Sequence, residues 1–295
     1  MIGHRPTVVV ASLLEGESQN GIIRVSGESG LAMHAVRPFL IFVTFFVSLL
    51  MLGNPLMADS LYEVFVPEAA KGKQLPCRLL EPAGYQTEGK ERYPLVLFLH
   101  GAGERGDDNE AQLLHCTSRF LEDDLRQGQP CFVLAPQCPE GQKWADVRWS
   151  ASSHRMTAMP SLPLQLALEA LDSVEQRFRI DADRIYLIGL SMGGYGTWDL
   201  IGRFPDRFAA AVPICGGGDE AAASRMAEVP IWAFHGECDQ VVSPERSRNM
   251  VAALREAGGE PQYTEYHLIG HNSWDSAMVE PGLFDWLFAQ RRNAR

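Results

Sequence analysis

Basic residues are in the minority here: 26 Lys and Arg stand against 37 Asp and Glu, for a formal net charge of -11. No basic face is therefore expected for a phosphate backbone, and nucleic acid is excluded as an expected partner. No C-x-x-C spacing occurs among Cys77, Cys116, Cys131, Cys138, Cys215 and Cys238, which argues against the usual zinc arrangements. Repeats, low-complexity tracts and long linkers are missing after residue 58, so that stretch reads as one domain. With 46% hydrophobic and 21% charged residues, the chain has ample material for a well-buried core and is not a disordered polypeptide.

The apolar run Phe39–Leu52 falls short of the roughly 20 residues that cross a bilayer comfortably. His34 and Arg37 precede it, and Gly53, Asn54, Pro55 and the small residue Ala58 follow. This is the pattern of a signal peptide, so residues 1–58 are expected to be an N-terminal extension plus signal, with cleavage near Ala58-Asp59 and export of residues 59–295. An uncleaved anchor is the alternative, because Leu56 is not an ideal residue three places before the cut. Residues 1–32 lack periodicity, and Met33 opens a more conventional signal sequence, so translation is expected to start there. No cysteine follows the run closely enough for lipid attachment. Six cysteines suit an exported protein, but they allow 15 full pairings. A buried free thiol is the simplest expectation for Cys215, at the end of an apolar strand.

Downstream, strand and helix patterns alternate. Leu61–Phe65 and Cys77–Leu80 read as edge strands. The continuous apolar runs Leu95–Leu99, Phe132–Ala135, Ile185–Ile188, Ala210–Ile214 and Ile231–Phe234 suit strands covered on both faces, and Tyr263–Tyr266 reads as a last strand. Helical periodicity is found over Leu162–Phe178, Met192–Arg203, Pro244–Ala257 and Leu283–Arg291. The alternation predicts an α/β fold, a mostly parallel sheet with helices on both faces. Between Gln137 and Ser161 lies a stretch too long for a simple connection, either the wall of a binding site or a packed surface loop.

The chemistry centres on Gly189-Leu190-Ser191-Met192-Gly193, a G-x-S-x-G sequence between an apolar strand and a helical segment, the setting of a nucleophile elbow. A serine on so sharp a turn is strained, and only glycines two residues either side give it room. Ser191 is the candidate nucleophile. It needs a base to take its proton and an acid to orient that base, and in this architecture acid and histidine follow the serine in that order. Asp239, in the polar turn after Ile231–Phe234, is the candidate acid, with Glu237 and Asp219 as rivals. His271, in the loop after Tyr263–Tyr266, is the candidate base. His267 reads as structural, while His235 and His100, each before a glycine at a strand end, read as holding loop geometry through hydrogen bonds. Backbone N–H groups of Met192 and of Ala102, in His100-Gly101-Ala102-Gly103, are the candidate oxyanion donors. Trp144, Trp149 and Tyr195 are candidates for shaping a substrate pocket, with core packing as the other reading. No metal or organic cofactor is required by this chemistry.

The segments Leu99–Gly106 (LHGAGERG), Ala135–Pro139 (APQCP), Gly189–Trp198 (GLSMGGYGTW), Pro213–Gly217 (PICGG) and His271–Asp275 (HNSWD) together resemble the α/β-hydrolase superfamily, in its carboxylesterase and prolyl-oligopeptidase-like branch. That branch is similar to feruloyl and acetyl esterases, polyhydroxybutyrate depolymerase-like enzymes and phospholipase/carboxylesterases. The resemblance covers about residues 60–290 and implies a triad on Ser191, Asp239 and His271. It implies a serine hydrolase acting through an acyl-enzyme on a small or polysaccharide-linked carboxylic ester, which with the signal pattern would be exported. A peptidase of small peptides is the alternative, although no N-terminal β-propeller accompanies the domain, and a catalytically dead binding protein on the same fold is a third reading.

Overall fold

A computed structural model describes residues 61–68 and 72–292. The run 39–52, the cleavage site and Met33 lie outside the described residues. Among the described residues eight strands form one sheet: β1 Tyr62–Phe65, β2 Cys77–Leu80, β3 Tyr93–Leu99, β4 Phe132–Pro136, β5 Ile180–Leu190, β6 Ala210–Ile214, β7 Trp232–Gly236 and β8 Gln262–Tyr266. Their spatial order is β1-β2-β4-β3-β5-β6-β7-β8. From β4 to β8 all neighbours are parallel, while β1, β2 and β4 pair antiparallel.

The continuous apolar runs are central strands, and the pleat sends alternate side chains to opposite layers. Leu95, Leu97 and Leu99 of β3 join Leu187 of β5 on one face, whereas Val96 and Phe98 join Ile188 and Leu190 on the other. Helices cover both. Against the first face lie α2 (Leu162–Arg177), α3 (Met192–Arg203), α4 (Ala223–Met226) and α5 (Glu245–Glu256). Against the second lie α1 (Asp123–Gly128), α6 (Trp274–Ala277) and α7 (Leu283–Ala289). Ser161 starts α2 by accepting the Leu164 N–H on its hydroxyl at 3.2 Å, with proline in the first turn, as an N-cap should.

Cys77–Leu80 departs from expectation. It is an inner strand between β1 and β4, with Cys77, Leu79 and Leu80 buried. Four residues are too few to show from sequence which edge is paired. β5 also begins earlier than its apolar run, at Ile180, because Asp181, Asp183 and Arg184 extend it where the strand is only partly covered. Among the described residues no helix is long and apolar enough to cross a membrane.

Candidate active site

The carboxyl ends of the parallel strands carry the loops in which functional side chains collect. β5 ends at Leu190, and Ser191 follows with φ +52°, ψ −114° before α3 begins. A positive φ is costly for a residue with a Cβ, and the surroundings hold it there. Ser191 N–H donates to Ile214 O at 2.9 Å. A Cβ on Gly189 would lie 2.3 Å from Gly193 O, and one on Gly193 would lie 1.8 Å from Leu99 O. Both glycines are thus required by close packing of the helix start, Gly189 where it meets β5 and Gly193 where it meets the end of β3.

The turn directs the Ser191 hydroxyl to His271: Oγ lies 2.9 Å from Nε2. The other ring nitrogen, Nδ1, lies 2.7 Å from Asp239 Oδ2. A carboxylate only accepts, so Nδ1 carries the hydrogen and Nε2 is left as the acceptor for the serine O–H. Asp239 is 5% exposed, and its second oxygen accepts the N–H groups of Val241 and Val242 at 2.8 and 2.9 Å. Burial would raise its pKa, but hydrogen bonds from His235 and His271 and from the two amides outweigh that and hold the carboxyl far below its ordinary range. It therefore stays ionised while the imidazole gains and loses a proton.

The second imidazole, His235, reaches the same carboxylate oxygen, with Nε2 3.2 Å from Asp239 Oδ2. Sequence reasoning gave His235 a loop-holding part, and it does touch Val242 O at 3.0 Å. Its contact with Asp239 four residues on is not legible in sequence, because that spacing carries meaning in a helix, whereas here a tight turn folds Asp239 back on the strand end. His100 holds its loop as its place before a glycine suggests. Its Nδ1–H donates to Gly101 O at 2.6 Å and its Nε2 accepts from Cys138 N–H at 2.9 Å. Burial drives its pKa down to about 4, over the opposing bond to Gly101. His267 instead pairs with Glu237 at the surface, at 2.5 Å. The rival carboxylates have other partners: Asp219 accepts from Ala221 N–H, Met156 N–H and Arg155.

A cavity of about 690 Å³ opens over Ser191 and His271. The turn Gly101–Gly103 borders it, and a Cβ on Gly101 would stand 3.7 Å from Ser191 Cβ. Ala102 therefore lies beside the hydroxyl. Met192 opens α3, which has no side-chain cap, so its N–H is one of the first-turn amides without a partner inside the helix. Trp149 lines the cavity, together with Lys143, Arg148 and Ser150 from the long 137–161 stretch, and with His115 and Trp274 opposite. Lys143 Nζ lies over the Trp149 ring at 5.0 Å and donates to Val147 O.

Trp144 and Tyr195 are not part of that wall. Trp144 is fully buried, donates its indole N–H to His100 O at 3.0 Å and packs on Gly196, where a Cβ would come within 2.7 Å of it. Tyr195 is equally buried and donates its hydroxyl to Trp149 O at 3.1 Å. Both support the wall from behind, a distinction between lining and backing that aromatic composition does not carry. The wall is further tied down by Arg246, 1% exposed, which donates to Ser152 O, Gly218 O, Glu220 and His154.

Cys215, Asp239 and His271 bring three donor atoms within 4.8 Å of one another, but the set suits a cation poorly. Burial pushes the Cys215 thiol far above its usual range, and Asp239 and His271 Nδ1 are engaged with each other. All six cysteines are free thiols.

A family model described as phospholipase/carboxylesterase matches residues 85–281, and the chain belongs to that family of α/β-hydrolases. Among relatives, a "Probable carboxylesterase" of Oryza sativa subsp. japonica is 25% identical over 203 residues, 63% of this chain and 84% of the relative. The bifunctional acetylxylan esterase/xylanase XynS20E of Neocallimastix patriciarum is 25% identical over 163 residues, 55% of this chain. This chain spans only 22% of that relative's length. A solved structure described as a thermostable esterase superposes with a TM-score of 0.72 at 38% identity, covering 80% of this chain and 64% of its own. The chain thus falls within an esterase family.

Proposed function

We propose that this protein hydrolyses carboxylic esters through an acyl-enzyme, with Ser191 as nucleophile, His271 as general base and acid, and Asp239 as the group that orients the imidazole and stabilises its charged form. One observation carries the reading: a strained serine, an imidazole and a buried ionised carboxylate linked by contacts of 2.9 and 2.7 Å. His271 Nε2 takes the hydroxyl proton as Ser191 Oγ attacks the ester carbonyl. The negative charge that forms on the carbonyl oxygen is received by the N–H groups of Met192 and Ala102, aided by the positive end of α3. Nε2–H then protonates the departing alcohol. Water repeats the sequence on the acyl-enzyme, releasing the acid and restoring the serine.

The acetylxylan esterase/xylanase relative supports small or polysaccharide-linked esters as the substrate class. Export rests on the 39–52 run alone. The test is labelling with a fluorophosphonate alongside hydrolysis of short-chain p-nitrophenyl esters and peptide anilides. Stoichiometric labelling that Ser191→Ala abolishes, with esters preferred, is expected. An amide preference overturns the esterase reading, and an unlabelled wild type overturns the nucleophile.

A further inference from the structure

We propose that His235 is a positioning residue for the relay, fixing the Asp239 carboxylate and sharing the oxygen on which His271 leans. The inference rests on the proposed roles of Ser191, His271 and Asp239, and extends them to a side chain that never meets substrate. Its basis is hydrogen-bond accounting around a ring that is wholly buried. Nε2 faces two groups that only accept, Asp239 Oδ2 at 3.2 Å and Val242 O at 3.0 Å, so Nε2 carries a hydrogen. Nδ1 lies 2.7 Å from Ser247 Oγ on α5, whose other partner, Gly216 O, is at the longer distance of 3.3 Å. Ser247, whose hydroxyl donates to Gly216 O, thus anchors the Nδ1 side of the ring while Nε2 donates to the loop. The ring cannot rotate without breaking one bond to α5 and two to the loop.

Asp239 Oδ2 therefore divides its charge between two imidazoles, while Oδ1 is held by Val241 and Val242. Remove the His235 N–H, and more of that charge falls on His271. The imidazolium form of His271 is then favoured, and the base is lost to protonation at a higher pH. Other titratable groups face this cluster. Glu265 on β8 feels His235 but is paired with Arg248 Nε at 2.8 Å and accepts from Tyr263 OH, which hold it ionised. The Cys215 thiol and the Tyr195 phenol, both buried near Asp239, have pKa values raised by burial and stay uncharged. Glu237 is half-exposed and held by His267. None of these can replace the lost donor.

The experiment compares the acid limb of the kcat/KM profile for a p-nitrophenyl ester in wild type, His235→Leu and His235→Gln. Leucine removes the donor, whereas glutamine carries an N–H to about the reach of Nε2. The limb is expected to move up by about half to one pH unit in His235→Leu, the effect of losing a hydrogen bond to an ionised group, and to return toward wild type in His235→Gln. An unmoved or lowered limb in His235→Leu overturns the proposal, because a residue that only packs would change Tm and not the profile. If His235→Leu does not fold, His235→Met, which also fills the site without an N–H, carries the test: an upward limb supports it and an unchanged one overturns it. Failure of the esterase reading is told apart by the wild type, which would then neither hydrolyse the ester nor take the fluorophosphonate.

Discussion

Replacing Gly193 by alanine tests the elbow with a single carbon. The added Cβ would lie 1.8 Å from the carbonyl oxygen of Leu99, 2.5 Å from its carbon and 2.9 Å from His100 O. Tolerated contacts of this kind stay beyond 3.0 Å, so the first turn of α3 must retreat from β3 by about an ångström. The obstacle is backbone at the carboxyl end of a central strand and cannot swing aside as a side chain could. Ser191 and the Met192 amide ride on that turn. A displacement of about 1 Å in reacting groups costs on the order of 100-fold in rate, and overpacking costs about 1–3 kcal/mol in stability. The assay is kcat/KM on a short-chain p-nitrophenyl ester, the fluorophosphonate labelling rate and Tm, with Gly128→Ala as control, where an added Cβ meets nothing within 4 Å. Wild-type kcat/KM and Tm in a folded Gly193→Ala would refute the reasoning, since the elbow would then not depend on that approach.

Further outcomes follow from the same geometry. Asp239→Asn is expected to lower kcat by about three to four orders of magnitude by upsetting the His271 tautomer, and a loss below tenfold would remove Asp239 from the relay. Ala102→Ser should be tolerated, whereas Ala102→Pro, which deletes the N–H, should lower turnover by about two to three orders of magnitude; near-normal turnover in the folded proline variant would exclude that donor. His100 is buried neutral with its pKa down at about 4, while an unfolded histidine takes its proton near pH 6.5, at about its ordinary value. Its contribution to stability is therefore complete above about pH 6.5 and lost as pH falls toward 4. His100→Gln should flatten the decline of Tm across that window, and an equally steep decline would count against this source. N-terminal sequencing of the exported protein is expected to begin near Asp59, and a chain that keeps residues 39–52 would show an anchor instead.

Much of the site could be read from residue order because the elbow compresses its requirements into five positions: two glycines, a serine, an apolar strand before and a helix after. Asp239 and His271 were reachable because parallel strands deliver their following turns to one edge, so chain order stands in for spatial order. Positions set by several elements at once were less legible. Whether Trp144 or Trp149 meets the cavity depends on how residues 137–161 lie over α3, and both look alike in sequence. Cys77–Leu80 as an inner strand depends on β1 folding beyond it, which four residues do not announce. The short helices Asp123–Gly128 and Ala223–Met226 span too few turns to show periodicity. The contact of His235 with Asp239 arises from turn geometry, which an i,i+4 spacing outside a helix conceals.

The side of the cavity built by Lys143, Arg148, Trp149 and Ser150 is backed by Trp144 and Tyr195, and Arg246 holds the same stretch further on, at Ser152 and His154. Its ordering entropy is thus charged once, when the chain folds, and not at each encounter with a ligand. Contacts made on folding, and not by a ligand, thus set the shape of this side of the mouth.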